Sequence, residues 1–450
     1  MATTTSINPY TGQELNSYKN QTLKEISVII DLADKRFYNW RETSFAHRKK
    51  LMLAAASELR KNKKEYAETM TLEMGKPISQ AIAEIEKCAW VCEYYAENAE
   101  KQLQNEVINT DAHKSYISFE PLGVILAIMP WNYPFWQVFR FAAPALMAGN
   151  IGVLKHASNV FGSALNIEKV FKRAGFPDNC FTTLLVGSDA VEKIIENEKI
   201  KAVTLTGSGP AGSSVASIAG RNIKKTVLEL GGNNALVVMK DCDMQKTIDT
   251  CVQARFQNTG QSCIAGKRLL IDETIAEEFV EKMLVKVREL KSGDPMDVET
   301  FIGPLARTDL AKDLEKQVNA SVKAGAKLEI GGKRQGAYFE PTILTNVADI
   351  MAVFNEETFG PALSVTTFKT VEEAIELSNN SKFGLGVSIF TKKIEEIEKL
   401  AFRFDEGAVF INELVKSDPR LPFGGIKQSG YGRELSEDGI REFVNRKTVF

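Results

Sequence analysis

Apolar side chains in the first hundred residues recur every three or four positions. The pattern holds through 26–37 and again through 51–70, and it predicts helices over residues 22–105. One of these helices should end within 69–77, where Met74-Gly75-Lys76-Pro77 offers a Gly cap followed by a Pro. Residues 115–128 alternate or run apolar around Pro121-Leu122-Gly123 and predict extended chain. From residue 123 short apolar runs alternate with helical stretches: 124–128 then 137–147, 151–154 then 162–174, 181–186 then 190–197, 202–206 then 211–219. Strand and helix in strict alternation predict an α/β fold, a parallel sheet with helices on both faces. A second alternating α/β region covers about 234–420, with no internal repeat and no low-complexity linker.

The chain of 450 residues is long enough for two or more domains around a large core. Its 44% hydrophobic and 25% charged residues set aside disordered and fibrous classes. A net charge of −2 favours neither nucleic acid nor an anionic membrane as partner. No apolar run reaches the roughly 18 residues of a membrane span. Met1-Ala2-Thr3-Thr4-Thr5 lacks the basic and apolar regions of a signal peptide, so a cytoplasmic protein is expected. Cysteines at 88, 92, 180, 242, 251 and 263 are too sparse for a disulfide scaffold and fit a reducing compartment. Cys88 and Cys92 share a predicted helix face, but a metal would need two more ligands. With only His47, His113 and His156 in the chain, buried core thiols are expected and no metal site.

Gly207-Ser208-Gly209-Pro210-Ala211-Gly212 follows a predicted strand and opens a predicted helix, the context in which G-x-G-x-x-G has meaning. Its N–H groups and the helix N-terminus can receive phosphate, although a plain tight βα turn would read the same. Glu229 lies 17 residues past the last glycine. It is a poor ribose ligand, because Leu228-Glu229-Leu230-Gly231-Gly232 predicts a tight turn exposing the carboxylate. That carboxylate is a general base or a solvated surface charge. Cys263, in Gly260-Gln261-Ser262-Cys263-Ile264-Ala265, sits past a Gly among small polar residues, the partly exposed setting a reactive thiol needs. Asn132, in Pro130-Trp131-Asn132-Tyr133-Pro134 directly after a strand, is an oxyanion donor or a turn residue.

Together these segments resemble the aldehyde dehydrogenase superfamily. The match runs from Ile7-Asn8-Pro9-Tyr10-Thr11-Gly12 nearly to the end, through Pro130-Trp131-Asn132, Lys155, Thr206-Gly207-Ser208, Glu229-Leu230-Gly231-Gly232 and Gly260-Gln261-Ser262-Cys263. It continues through Glu356-Glu357-Thr358-Phe359-Gly360-Pro361 and Pro422-Phe423-Gly424-Gly425. The resemblance implies Cys263 as nucleophile, Asn132 with the Cys263 N–H as oxyanion hole, and Glu229 as the base that activates water. It implies cofactor contacts from Trp131, Lys155, Ser158, Gly207, Ser208, Leu230, Glu357 and Phe359. The implied architecture is a Rossmann-type nucleotide-binding domain at 1–110 and 130–229, an α/β catalytic domain at 230–425, and a small β oligomerisation element at 111–129 and 426–450. A homodimer or homotetramer is expected.

Within the family, Phe135-Trp136-Gln137-Val138-Phe139-Arg140-Phe141-Ala142-Ala143-Pro144 and Lys416-Ser417-Asp418-Pro419-Arg420 look like bacterial succinate-semialdehyde dehydrogenases. Arg140, eight residues past Asn132, would offer its planar fork to a substrate carboxylate, with Ser417 adding a hydroxyl. Lys416, Arg420 and Lys427 compete for that role, and a surface or interdomain salt bridge is the other reading of Arg140. Many NAD-using relatives carry Glu where this chain has Ser158, so NADP is expected, with NAD possible. His156 stands where the family commonly has Pro and leaves the shape of that loop open. Another short aliphatic aldehyde, a CoA-acylating enzyme and a non-catalytic structural relative are the alternatives.

Overall fold

The computed structural model describes residues 3–450. A hairpin of β1 (Thr3–Ile7) and β2 (Glu14–Lys19) comes first. Hydropathy did not announce it, because its positions are mostly polar and exposed; Asn8 accepts from the N–H groups of Tyr10 and Thr11 to form its turn. Four helices follow: α1 (Leu23–Trp40), α2 (Phe45–Lys61), α3 (Lys63–Met74) and α4 (Ile78–Gln102). Thr22 and Glu25 close a capping box on α1, whose Ile26, Ile30, Ala33, Phe37 and Trp40 form the buried stripe. α3 stops at Gly75 in the left-handed conformation, as expected from the sequence.

Short strands β3 (Glu106–Ile108) and β4 (Ser115–Pro121) lead into the alternating region. There β5 (Val124–Met129), α5 (Trp136–Met147), β6 (Ile151–His156), α6 (Phe161–Arg173), β7 (Phe181–Leu184), α7 (Val191–Glu196), β8 (Ile200–Thr206), α8 (Gly209–Arg221) and β9 (Lys225–Glu229) follow the predicted rhythm. β9, β8, β5, β6 and β7 pair in parallel in that order. Their near-continuous burial is what two covered faces require.

The second region builds a seven-stranded sheet. It contains β10 (Asn234–Val238) and, after α9 (Met244–Phe256), β11 (Gly266–Asp272). Helices α10 (Ala276–Arg288) and α11 (Thr308–Lys323) precede β12 (Lys327–Ile330), a two-residue-per-strand hairpin β13 (Arg334–Gln335) and β14 (Tyr338–Phe339), β15 (Thr342–Thr345) and β16 (Ala362–Phe368). Then come β17 (Phe383–Gly384), β18 (Val387–Phe390) and β19 (Val409–Ile411). The order is β12-β15-β16-β11-β10-β18-β19, parallel except for β12.

The residues after 425 divide three ways. β20 (Ile426–Lys427) pairs with β17, β21 (Gly430–Tyr431) adds an antiparallel edge to β9, and β22 (Val444–Val449) pairs with β4, itself paired with β3. Two boundaries of the sequence division therefore move. β5, placed with residues 111–129, is a central strand of the nucleotide-type sheet, and of residues 426–450 only β22 lies in the three-stranded sheet. Residues 115–128 read as extended chain on both sides of Pro121-Leu122-Gly123, so periodicity alone could not divide β4 from β5. No helix among the described residues is long and apolar enough to cross a membrane.

Candidate active site

Asn132 sits in the loop between β5 and α5. Glu84 of α4 fixes the far end of that loop, its carboxylate accepting from the N–H groups of Phe135 and Trp136 at 2.9 Å each. His156, at the end of β6, fixes the near end. Its Nε2 lies 2.9 Å from the Pro134 carbonyl and its Nδ1 3.1 Å from the Met129 carbonyl, so the ring bridges the loop and the end of β5. Burial lowers the pKa of His156 to about 4, which keeps the ring neutral and this arrangement intact. The residue that replaces the family's Pro thus shapes the loop through hydrogen bonds.

Cys263 lies in the turn between α9 and β11, not at a helix N-terminus. Asn258, Thr259 and Gly260 all have positive φ, and a Cβ on Gly260 would stand 2.4 Å from the Gly360 carbonyl oxygen. The turn is laced to the Asn132 loop. Asn258 Nδ2 donates to the Asn132 carbonyl at 2.9 Å and to the Gln261 carbonyl at 3.0 Å, and Asn132 Nδ2 donates to that same Gln261 carbonyl at 3.1 Å. The Cys263 N–H has no protein acceptor among the described residues. Cys263 is partly accessible, whereas the other five cysteines, Cys88 and Cys92 included, are buried core thiols. Among the described residues no group of three His, Cys, Asp or Glu side chains could hold a metal ion.

Burial raises the Cys263 pKa to about 11; the cations Lys267 and Arg140 pull it down, while Glu229 and Glu357 push it up. Lys267 is fully buried. Its ammonium donates to the carbonyls of Gly232 (2.6 Å) and Cys263 (2.8 Å) and to Glu357 Oε1 (3.0 Å), using all three protons. The sequence reading missed Lys267, although its position four residues past Cys263 was a usable signal.

Glu229 departs from its expected setting. It ends β9 at 1% exposure, enclosed by the edge strand β21, and is not displayed on a turn. Neither carboxyl oxygen has a hydrogen-bond partner among the described residues, and burial holds its pKa well above the usual carboxylate range, with Arg140 drawing it down.

Two cavities share Trp131 and Arg307. One, of about 430 Å³, is lined by Asn132, Cys263, Gly207, Ser208, Leu230, Glu357 and Phe359. The other, of about 610 Å³, is lined by Lys155, Ser158, Asn159 and residues of the β1–β2 hairpin. The eight expected cofactor contacts therefore all line one cavity or the other. Their chemistry fits a dinucleotide. Lys155 is 8% exposed and its ammonium has no protein partner among the described residues; burial lowers its pKa. Ser208 stands at the N-cap position of α8 without a side-chain cap bond, which leaves N–H groups of the first turn free. A Cβ on Gly212 would lie 2.6 Å from Leu230, so close packing of helix on strand needs that glycine. Trp131 meets Phe359 edge-on at 5.7 Å. Arg307, which sequence reading did not single out, lies 5.9 Å from the Trp131 ring and pairs with Asp309.

Arg140 is 2% exposed and reaches the same centre. Its Nε pairs with Glu434 and its Nη2 stands 3.4 Å from Thr206 Oγ1, so a buried ion pair engages half of the fork. Nη1 makes no hydrogen bond among the described residues. The three competitors are engaged at the surface: Lys416 with Glu413, Arg420 with Asp418 and Lys427 with Asp405. Ser417 is buried and accepts a hydrogen bond from Lys87 Nζ at 2.8 Å.

The model of the aldehyde dehydrogenase family matches residues 2–449. The chain is 50% identical over 448 residues to a probable succinate-semialdehyde dehydrogenase [NADP(+)] of Synechocystis sp., covering 99% of each. It is 47% identical over 451 residues to succinate-semialdehyde dehydrogenase [NADP(+)] 1 of Mycobacterium tuberculosis, again covering 99% of each. Succinic semialdehyde dehydrogenase from Streptococcus pyogenes, solved in complex with NADP+, superposes with a TM-score of 0.97 at 36% identity, over 99% of both chains. On fold, site geometry and these likenesses alike, the chain belongs to the aldehyde dehydrogenase family.

Proposed function

We propose that this chain oxidises succinate semialdehyde to succinate with NADP, through a thioester on Cys263. One observation carries the reading: a single accessible thiol shares its cavity with an amide donor and lies within the electrostatic reach of a buried carboxyl, Glu229, and a partly free guanidinium, Arg140. The relatives' names point to the same substrate and cofactor.

The Cys263 thiol releases its proton to water and the thiolate attacks the aldehyde carbon, forming a tetrahedral thiohemiacetal. Asn132 Nδ2 and the Cys263 N–H hold the oxyanion, a term of roughly 3 kcal/mol per donor. Trp131, Lys155, Ser158, Gly207, Ser208, Leu230, Glu357 and Phe359 would hold the dinucleotide, whose nicotinamide accepts the hydride. Glu229 then takes a proton from water, and hydrolysis of the thioester releases the acid. A buried carboxyl suited to that step argues for hydrolysis over acyl transfer to CoA. Arg140 Nη1 and the Ser417 hydroxyl would receive the substrate carboxylate. Ser158 leaves room and a donor for a 2′-phosphate where a Glu would repel it.

Nucleotide binding falls to 1–110 without β3 and to 130–229 together with β5, catalysis to 230–425, and association of two or four copies to the β22-β4-β3 sheet. Exposed Val107 and Ile108 on β3 support that last assignment. Six free thiols support a cytoplasmic setting.

The test is reduced-cofactor formation from succinate semialdehyde and from butyraldehyde, each with NADP and with NAD. The proposal expects kcat/KM to be higher for succinate semialdehyde with NADP. A preference for butyraldehyde would refute the carboxylate reading and leave the family assignment standing.

A further inference from the structure

Three ion pairs and one further cation surround Arg140 and Ser417. Arg140 pairs with Glu434. Asp418 accepts from Arg420 at 2.9 and 2.6 Å, which holds its carboxyl below the usual range. Glu84 pairs with buried Lys76. Lys87, one helical turn past Glu84 on α4, forms no ion pair among the described residues. Its Nζ lies 4.3 Å over the Trp136 ring, and its one hydrogen bond goes to Ser417 Oγ at 2.8 Å. An ammonium has three protons and no acceptor, so two donors remain free.

We propose that Lys87 is a specificity-determining residue that completes the subsite for the substrate's distal carboxylate. This rests on the semialdehyde reading above and adds to it a residue outside the Arg140–Ser417 pair. Two effects follow from the geometry. By donating to Ser417 Oγ, Lys87 occupies a lone pair of that hydroxyl and turns its proton toward an incoming acceptor. It also supplies the site's unbalanced positive charge. The Trp136 face stabilises the cation while leaving its remaining N–H groups unspent.

Burial, helped by neighbouring Arg140, lowers the pKa of Lys87 to about 8 against weaker upward pulls from Cys88, Glu84 and Asp418. A bound carboxylate favours the charged form. Affinity for an anionic substrate is therefore full below about pH 8 and lost as pH rises through it.

The experiment compares the wild type with Lys87→Met and Lys87→Arg, taking the ratio of KM for butyraldehyde to KM for succinate semialdehyde from pH 6 to 9.5. Using a ratio cancels titration of the chemical groups common to both substrates. Lys87→Met should lower the ratio by about thirty-fold at neutral pH. It should also flatten the fall that the wild type shows near pH 8, and Lys87→Arg should restore most of the ratio. An unchanged ratio in Lys87→Met, or equal losses on both aldehydes, overturns the proposal for Lys87 while the substrate reading stands. A wild type that favours butyraldehyde overturns the substrate reading instead. Should Lys87→Met not fold, the pH dependence of the wild-type ratio decides alone, and a flat ratio refutes the proposal.

Discussion

Asn132→Ala tests the oxyanion arrangement more directly than any change to the nucleophile. In the resting site the Asn132 amide spends one N–H on the Gln261 carbonyl at 3.1 Å and keeps the other. The Cys263 N–H is the second free donor. Removing one of two preorganised donors costs about 3 kcal/mol of transition-state stabilisation, or roughly a hundred-fold or more in kcat. The cost to folding is small, because Asn258 Nδ2 still donates to the Gln261 carbonyl at 3.0 Å and to the Asn132 carbonyl at 2.9 Å. The variant should therefore melt within a few degrees of the wild type, a shift of about 1 kcal/mol or less. The assay is stopped-flow detection of reduced cofactor under single-turnover conditions, which isolates the steps before hydrolysis. Both the single-turnover rate and kcat should fall, with KM little changed. A fall confined to KM, or a kcat within about three-fold of the wild type, would refute the role of Asn132.

Glu229→Gln should preserve the burst of reduced cofactor and slow the turnover that follows; loss of the burst would place Glu229 in thiol activation instead. Because burial raises the Glu229 pKa, its basic form gains population as pH rises, so the hydrolytic step should speed up toward alkaline pH in the wild type and lose that trend in Glu229→Gln. Ser158→Glu should move the kcat/KM ratio from NADP toward NAD, since a carboxylate beside a 2′-phosphate repels it by about 1 kcal/mol or more; an unchanged ratio would mean that Ser158 does not face the ribose. Glu73, which accepts from the N–H groups of Gly162 and Ser163, has its pKa raised by burial to about 7. Its folded-state value exceeds its unfolded one, so its contribution is complete below about pH 4.5 and is lost by about pH 7, a difference of about 3 kcal/mol. Urea melts of the wild type and Glu73→Gln should therefore converge or cross over that interval, and parallel curves would contradict it.

The sequence exposes most of the fold because βαβ units write a strong alternation into the chain. The eight elements between 124 and 221 lie close to where that alternation put them. The β1–β2 hairpin escaped because its side chains are mostly polar and solvent-facing, which leaves no period-two signal. Many of the residues lining the two cavities stand in short motifs that carry a glycine or proline, such as Pro130-Trp131-Asn132 and Thr206-Gly207-Ser208. Lys87 and Glu434 were not legible, since each acts through a partner far away in sequence. Lys87 meets Ser417 across 330 residues, and nothing local distinguishes it from a solvated helix lysine. The burial of Glu229 was hidden for the same reason, because the strand that covers it comes some 200 residues later.

That covering strand also sets when the site can exist. Gly430 pairs with Glu229, the Ser429 carbonyl accepts from the Leu230 N–H, Ser429 Oγ donates to the Gly231 carbonyl, and Glu434 pairs with Arg140. Glu434 is translated 171 residues after Cys263. A ribosome needs on the order of ten seconds or more to cover that distance. For that interval a nascent chain carries the nucleophile without the enclosure that raises the Glu229 pKa or the carboxylate that holds Arg140 in place. Reactivity toward aldehydes is thus tied to completed synthesis, and a chain stalled or clipped before residue 429 would possess every residue of the thiol's immediate surroundings and still lack a working site.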